Sequence, residues 1–436
     1  MILIIADDLT GAADSAAQFW PGGRPIRVIT EARGSHFSWP DPCQVVAINA
    51  QTRECSAGQA AQVWRRLGRD LWPLYGGGDG GDVILVKKID TAFRGNVGVE
   101  IEQLLLSLPL EAALVIPAIP DIGRITLGGI QLVGEEPLHE AFKSDPWCPV
   151  NTSDVSALIG QTTALSVAKV GRDTIHSGEL AGAVDRLVRS GHQIIVFDAV
   201  SNQDIDQVVN ALSSRRFLWV GSLGLTASLC RQNFVMETDS TQASVEVRQG
   251  QPGEGAQGGE GSERDWGRSY QAMVVCGSRH QVAQDQLNCL MAAGRPCHVL
   301  GVSPGSQDQG LEGQVQRAAA AWERGYPIII KPTDGFTLAP GENPAVVAQS
   351  LARVAQLIAR QVDLKKAELI IVGGDTAYQI CRSLGIFELE VVAIKATVAV
   401  RMQVMSGHYQ GMQIWTKGGS VGPPTLLCDL LGKHAI

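Results

Sequence analysis

Short, almost wholly apolar runs separated by longer stretches of mixed polarity dominate the first half of the chain. Residues 2–6, 45–49, 83–88 and 113–116 read as buried strands, and 194–197 and 217–220 continue the series. Between them, 56–72 and 97–108 have the length and apolar recurrence of packing helices. Alternating strands and helices predict a mostly parallel α/β sheet, whose ligands sit beyond the C-terminal ends of the strands. After a break, 272–276, 298–302, 327–330, 369–372 and 389–394 repeat the strand signal, and 343–360 reads as a helix with Pro344 near its start.

The break is rich in Gly, Gln, Ser and Glu between Gln249 and Arg264 and has little capacity to form a core. The expected organisation is two mostly parallel α/β domains, 1–236 and 268–436, joined by a flexible linker at 237–267. A chain of 436 residues is long enough for two such cores.

Composition narrows the class. With 45% apolar and 5% aromatic residues the chain reads as a globular protein built from small aliphatic side chains. A formal charge of -8 gives no electrostatic reason to expect nucleic-acid binding, although local arginine clusters still suit an anionic metabolite. The nine cysteines stand singly, without CxxC spacing, and the eight histidines are scattered, so neither a zinc site nor a redox dithiol is signalled. No stretch has the length to cross a bilayer, and the start lacks a signal-peptide pattern, which makes a soluble cytoplasmic protein the expectation. Oligomeric state is not readable.

Polar chemistry clusters where strands end. Asp7, Asp8 and Thr10 follow the first strand; Asp8 either contacts substrate or a metal, or belongs to a structural turn, and Thr10 either contacts a hydroxyl or caps the next helix. Thr52 and Arg53 follow the second run, and Lys87, Lys88, Asp90, Thr91, Arg94, Gly95 and Asn96 follow the third. Arg53 and Arg94 are candidates for a substrate carboxylate, and Asp90 for orienting or deprotonating an alcohol. A further segment, 117–129, adds Arg124 on a Pro- and Gly-rich loop, and 138–145 adds His139 and Asp145.

The second half offers three glycine turns after apolar runs. Gly277 and Ser278, then Gly373, Gly374, Asp375 and Thr376, then Lys417, Gly418, Gly419 and Gly422, present backbone amides without side-chain obstruction. Asp375 and Thr376 are expected to cap a helix beginning near Ala377, with Asp375 alternatively on magnesium. Lys417 is placed to neutralise phosphate, although the sequence is not a Walker A loop. Acceptor chemistry in one half and a phosphate donor site in the other point to a small-molecule kinase with a nucleotide phosphate donor, and Mg2+ is its expected metal.

Taken together, IADDLTGAADS from Ile5, KKIDTAFRGN from Lys87, PAIPDIGRITLGG from Pro117, GSLGL from Gly221, CGSRH from Cys276, GGDTA from Gly373 and TKGGSVG from Thr416 resemble the four-carbon acid sugar kinase family. The resemblance implies an N-terminal domain for a small sugar acid such as threonate, erythronate or an oxo relative, and a C-terminal domain for ATP. It matches Asp8, Arg53, Lys88, Asp90, Arg94 and Arg124 to the substrate side; on that footing Asp8 or Asp90 is expected to orient or deprotonate the reacting hydroxyl, with Asp7 beside them in the substrate pocket. Ser278, Gly373 to Thr376, Gly418 and Gly419 match the nucleotide side. The chain departs from the family pattern at Thr91 to Phe93, at 395–405, which lacks a Pro-Gly turn, and at Val421, where an aromatic is usual. A binder with reduced catalysis is the alternative reading.

Overall fold

The computed structural model describes residues 1–20, 25–32, 45–76, 83–143, 150–234, 271–294, 296–303, 310–336, 345–396 and 398–431. The expected linker at 237–267 and Asp145 lie outside the described residues.

Among the described residues fifteen strands form one continuous sheet. In the N-terminal half, Ile26–Ile29, Val45–Asn49, Ile2–Ala6, Ile84–Lys88, Leu218–Gly221, Ala113–Ile116, Ile194–Phe197 and Val167–Val170 lie side by side, all parallel. In the C-terminal half, His298–Val302, Ile328–Pro332, Ala272–Cys276, Glu368–Val372 and Gln413–Lys417 are likewise parallel. The antiparallel strands Ala399–Val404 and Glu388–Lys395 join the two, because Glu388–Lys395 pairs with Ile26–Ile29. The expected α/β class is observed, with the two parallel sheets sharing a ladder.

Near-continuous burial of the central strands follows from helices on both faces, as parallel sheets require. One large apolar core runs under both halves on one face, while each half has its own core on the other. The helix Leu9–Ala17 contacts strands from both halves, namely Ile2–Ala6, Val45–Asn49, Glu388–Lys395 and Gln413–Lys417, and also the helix Gly374–Leu384. Its sequence LTGAADSAA is small enough to be surrounded on nearly all sides.

A separate three-stranded sheet comprises Arg124–Leu127, Ile130–Val133 and Glu136–Pro137. The segment read as a Pro- and Gly-rich loop is thus partly a hairpin: Gly128 and Gly129 have φ of 61° and 74°, the pair of left-handed residues that a tight hairpin turn needs. Asp198 fixes that turn by accepting from Gly128 N and Gly129 N, each at 2.8 Å.

Candidate active site

The acidic pair sits where the first strand ends. Asp7 is completely buried, and Asp8 takes an extended conformation as the N-cap of Leu9–Ala17, its Oδ1 accepting from Gly11 N at 2.8 Å. Asp8, and not Thr10, therefore caps this helix. Arg53, on the loop after Val45–Asn49, donates to both acids: Nε and Nη2 to Asp7 at 3.1 and 2.8 Å, Nη1 and Nη2 to Asp8 at 2.8 and 2.9 Å. Burial pushes the Asp7 carboxyl up, but Arg53, Lys87 and Lys88 outweigh it and hold the group below the usual carboxylate range. The guanidinium is thereby committed to bracing the acids.

Lys87 and Lys88 are neighbours on a strand and point to opposite faces. Lys87 is fully buried in an ion pair with Glu100, 5.0 Å from the Trp64 ring, and Thr52 Oγ1 donates to Glu100 at 2.6 Å. Lys88 turns toward the acids: its Nζ donates to Ile89 O at 2.6 Å, and burial lowers its pKa against the pull of Asp8 and Asp7.

Beyond Lys88, Arg94 holds Asp90 through Nε at 2.7 Å and Nη2 at 3.1 Å. Burial pushes the Asp90 carboxyl up, yet Arg94 and Arg53 keep it well below the ordinary range. Arg124 feels the same groups: burial and Arg94 lower its pKa while Asp90 raises it. Its guanidinium lies 5.1 Å from the Phe142 ring, and its buried Nη1 has no hydrogen-bond partner among the described residues. A buried unpaired donor next to a second arginine suits an incoming carboxylate. His139 is half exposed, its N donating to Ser153 Oγ at 2.9 Å and its Nδ1 2.8 Å from the same oxygen.

In the C-terminal half, three adjacent strands are followed directly by Gly277, Gly373 and Gly418, so their loops converge. A methyl group at Gly277 would come 2.1 Å from Thr376 Oγ1, and one at Gly419 2.0 Å from Ser278 Oγ. The helix Gly374–Leu384 starts earlier than expected, with Gly373 as an N-cap that makes no side-chain cap bond. Asp375 and Thr376 therefore lie within its first turn instead of capping it. Its leading amides lack a capping side chain, the arrangement that receives anions at helix starts. Lys417 ends the strand Gln413–Lys417 fully buried, its Nζ without a hydrogen-bond partner among the described residues, and burial lowers its pKa to about 8. Gln286 Nε2 steadies the last loop by donating to the carbonyls of Val421, Gly422 and Pro423 at 3.1, 3.1 and 2.9 Å.

The two sets of loops meet. A methyl group at Gly374 would lie only 2.3 Å from Asp8 Oδ2, so the acid abuts the start of the Gly374–Leu384 helix. Gln51 Nε2 donates to Asp375 Oδ1 at 2.9 Å, and Tyr378 OH to Glu31 Oε1 at 2.9 Å. Gln51 was not singled out from sequence, although it stands at a polar strand exit and adopts a left-handed φ of 52°. Asp14 was also passed over inside its motif; its spacing of four from Thr10 on a helix is the signal that puts both on one face.

One half that gathers acids and arginines, and another that gathers glycine amides and a buried lysine, define a two-domain protein for a polar small molecule and a nucleotide. Comparison with known sequences agrees: models of a sugar-binding N-terminal domain and a nucleotide-binding C-terminal domain match residues 2–229 and 273–427. The chain belongs to the four-carbon acid sugar kinase family. It is 26% identical to a D-threonate kinase of Salmonella typhimurium, over 99% of this chain and 97% of that one. It is 24% identical to a D-erythronate kinase of Heliobacterium modesticaldum, over 98% and 95%. A D-threonate kinase of Cupriavidus necator is 34% identical over 52% of this chain and 53% of its own. Solved proteins from Salmonella typhimurium LT2 (TM-score 0.75, 20% identity, 98% of both chains) and Haemophilus influenzae (TM-score 0.68, 18% identity, 97% of both) share the fold. Among the described residues no helix is long and apolar enough to cross a membrane.

Proposed function

We propose that this chain transfers the γ-phosphoryl group of ATP to a hydroxyl of a four-carbon sugar acid of the threonate, erythronate or oxo-tetronate kind. The observation that carries the reading is the packing of Asp8 against Gly374, which brings the acid-and-arginine side to the start of a helix in the nucleotide-binding half. Acceptor residues belong to 1–236 and donor residues to 268–436, with 237–267 connecting them. ATP as the donor puts the site of action in the cytoplasm.

In this reading Arg94 and Arg124 receive the substrate carboxylate. Lys88 and Asp8 face the acceptor hydroxyl, and Asp7 with Arg53 holds Asp8 in place. Asp90, kept ionised by Arg94, is too weak a base to deprotonate an alcohol and serves to orient it. The amides of Gly373, Gly374, Gly418 and Gly419, with Ser278, Thr376 and Lys417, cradle the phosphates. As the acceptor oxygen bonds to the γ-phosphorus, the bond from that phosphorus to the β,γ-bridging oxygen breaks and ADP leaves; the hydroxyl proton passes to Asp8. Positioning and charge stabilisation supply most of the acceleration in such transfers.

Among the described residues no group of three or more His, Cys, Asp or Glu is arranged to hold a metal, so a magnesium ion would be carried mainly by phosphate oxygens and water. Asp375 fits as its protein ligand, because burial and the Asp8 charge push its carboxyl up and a cation would relieve both. Bound magnesium neutralises charge on the phosphate oxygens. The test is transfer of radiolabelled phosphate from MgATP to a panel of threonates, erythronates and their oxo derivatives. Labelled product from at least one is expected, and none from well-folded protein rejects the assignment.

A further inference from the structure

We infer that Gln51 is a positioning residue for the donor site: from the acceptor half it fixes the orientation of the Asp375 carboxylate at the start of the Gly374–Leu384 helix. This rests on the kinase reading above, in which Asp375 serves as the protein ligand of magnesium. Gln51 is one of three non-glycine residues with a left-handed φ among the described residues, at 52°. That conformation is unfavourable for a long side chain and persists only where the surroundings hold it. Here Asn49 does so. Completely buried at the end of the strand Val45–Asn49, it accepts from Gln51 N through Oδ1 at 2.9 Å and donates from Nδ2 to Gln51 Oε1 at 2.9 Å. The same nitrogen donates to Thr30 O at 2.9 Å.

These bonds leave the Gln51 amide one orientation. With Oε1 on the Asn49 amide, Nε2 donates to Asp375 Oδ1 at 2.9 Å; a flipped amide would set donor against donor and oxygen against carboxylate. The left-handed turn thus carries a neutral donor across the junction, to the residue next to Gly374, against which Asp8 packs. A lysine in this place would cancel the charge of Asp375 and repel a metal ion. An amide orients the carboxylate and leaves its charge for magnesium, as the hydrogen-bonded partners of ligating carboxylates do. The same loop serves the acceptor side: Thr52 N and Arg53 N donate to Asp7 O at 3.0 and 3.2 Å, and the Arg53 guanidinium braces Asp7 and Asp8. Gln51 touches neither reactant in this scheme; it acts through Asp375.

In Gln51→Gly the left-handed turn is adopted freely and the amide is gone. Calorimetric titration of the full chain with ADP, with and without magnesium, reads the effect without turnover. The expected result is a loss of about 10- to 100-fold in MgADP affinity, with metal-free ADP affinity and the sugar-acid KM each within about twofold. Gln51→Asn, which also accepts a left-handed φ but is one methylene short of Asp375, should behave alike. In an Asp375→Asn background, Gln51→Gly should remove no more than about twofold further, because the two residues act as one unit. Tyr378→Phe is the control for a merely structural bridge. It deletes another hydrogen bond between the halves, from the same helix to Glu31, and should lower the urea midpoint while leaving MgADP affinity unchanged. A Gln51→Gly protein that binds MgADP within about twofold of the unaltered one, or a loss equally large in the Asp375→Asn background, overturns the inference. ADP that binds the unaltered protein no tighter with magnesium than without it does the same. If the unaltered protein phosphorylates no sugar acid but Gln51→Gly still weakens MgADP through Asp375, the kinase reading fails while the positioning role stands.

Discussion

Replacing Gly374 by alanine tests the junction at its tightest point. The new methyl carbon would lie 2.3 Å from Asp8 Oδ2, 3.2 Å from Asp8 Cγ and 3.3 Å from Thr10 Oγ1. Ordinary carbon contacts are near 3.5 Å, so one side must yield by about 1 Å. The helix backbone is anchored by buried Ala377, Ile380 and Cys381, and Asp8 is held by Arg53 Nη1, Arg53 Nη2 and Gly11 N. The carboxylate is the softer partner, and moving it weakens the charged bond from Arg53 Nη1. That loss is worth roughly 1.5–3 kcal/mol, against a gain of about 1 kcal/mol from alanine over glycine in a helix. A net destabilisation of about 0.5–2 kcal/mol follows. Displacing a reacting group by about 1 Å costs on the order of 100-fold in rate. Activity should therefore suffer more than stability. Gly182→Ala, on an exposed helix where the nearest atom would be Arg186 Nη1 at 3.6 Å, is the matched control and should be neutral or slightly stabilising. The assay is kcat from ADP release beside the urea midpoint of each variant. A Gly374→Ala enzyme with kcat within about twofold of the unaltered one would show that Asp8 does not need this position, and the acceptor role given to it would fall.

Arg124→Ala and Arg94→Ala should each raise the sugar-acid KM by about 10- to 100-fold, the worth of a charged hydrogen bond, with the ATP KM unchanged; equal shifts in both constants would contradict a carboxylate site. Lys87→Met leaves Glu100 charged and buried without its partner and should lower stability by about 3–5 kcal/mol in urea unfolding, with Lys87→Met combined with Glu100→Gln recovering part of the loss. The raised Asp14 carboxyl contributes stability below about pH 4 that disappears as pH rises through about 8. The melting temperature of Asp14→Asn relative to the unaltered protein should accordingly climb from pH 5 to pH 9; a constant difference would show that Asp14 is not protonated in the fold at low pH.

Much of this architecture was legible because a strand buried on both faces has to be apolar throughout, and Leu3, Ile4, Ile5, Val115, Ile195 and Val274 declare that locally. Ile26–Ile29 did not stand out, being short and interrupted by Arg27, whose partner Glu390 arrives from the far half of the chain. Ala399–Val404 and Gln413–Lys417 alternate in burial or mix Arg401, Gln403 and Gln413 into their runs, so their strand character depends on neighbours. In the site, polar residues at strand exits were visible, since loops beyond parallel strands are where ligands bind. Their partners were not. That Arg53 belongs to Asp7 and Asp8, that Lys87 turns away to Glu100, and that Gly373 rather than Asp375 begins a helix are outcomes of three-dimensional placement.

The pairing of Ile26–Ile29 with Glu388–Lys395 bears on how the chain acquires its shape during synthesis. Thr30 Oγ1 donates to Ile386 O at 2.8 Å, a contact between residues 356 apart in sequence. The amino-terminal domain emerges from the ribosome with one flank of its sheet unpaired, an edge open to wrong partners until nearly the whole polypeptide has been translated. The final assembly step, docking that flank onto the late strand, also brings Asp8 to Gly374, so a molecule that misassembles there loses the contact between its two halves along with its sheet.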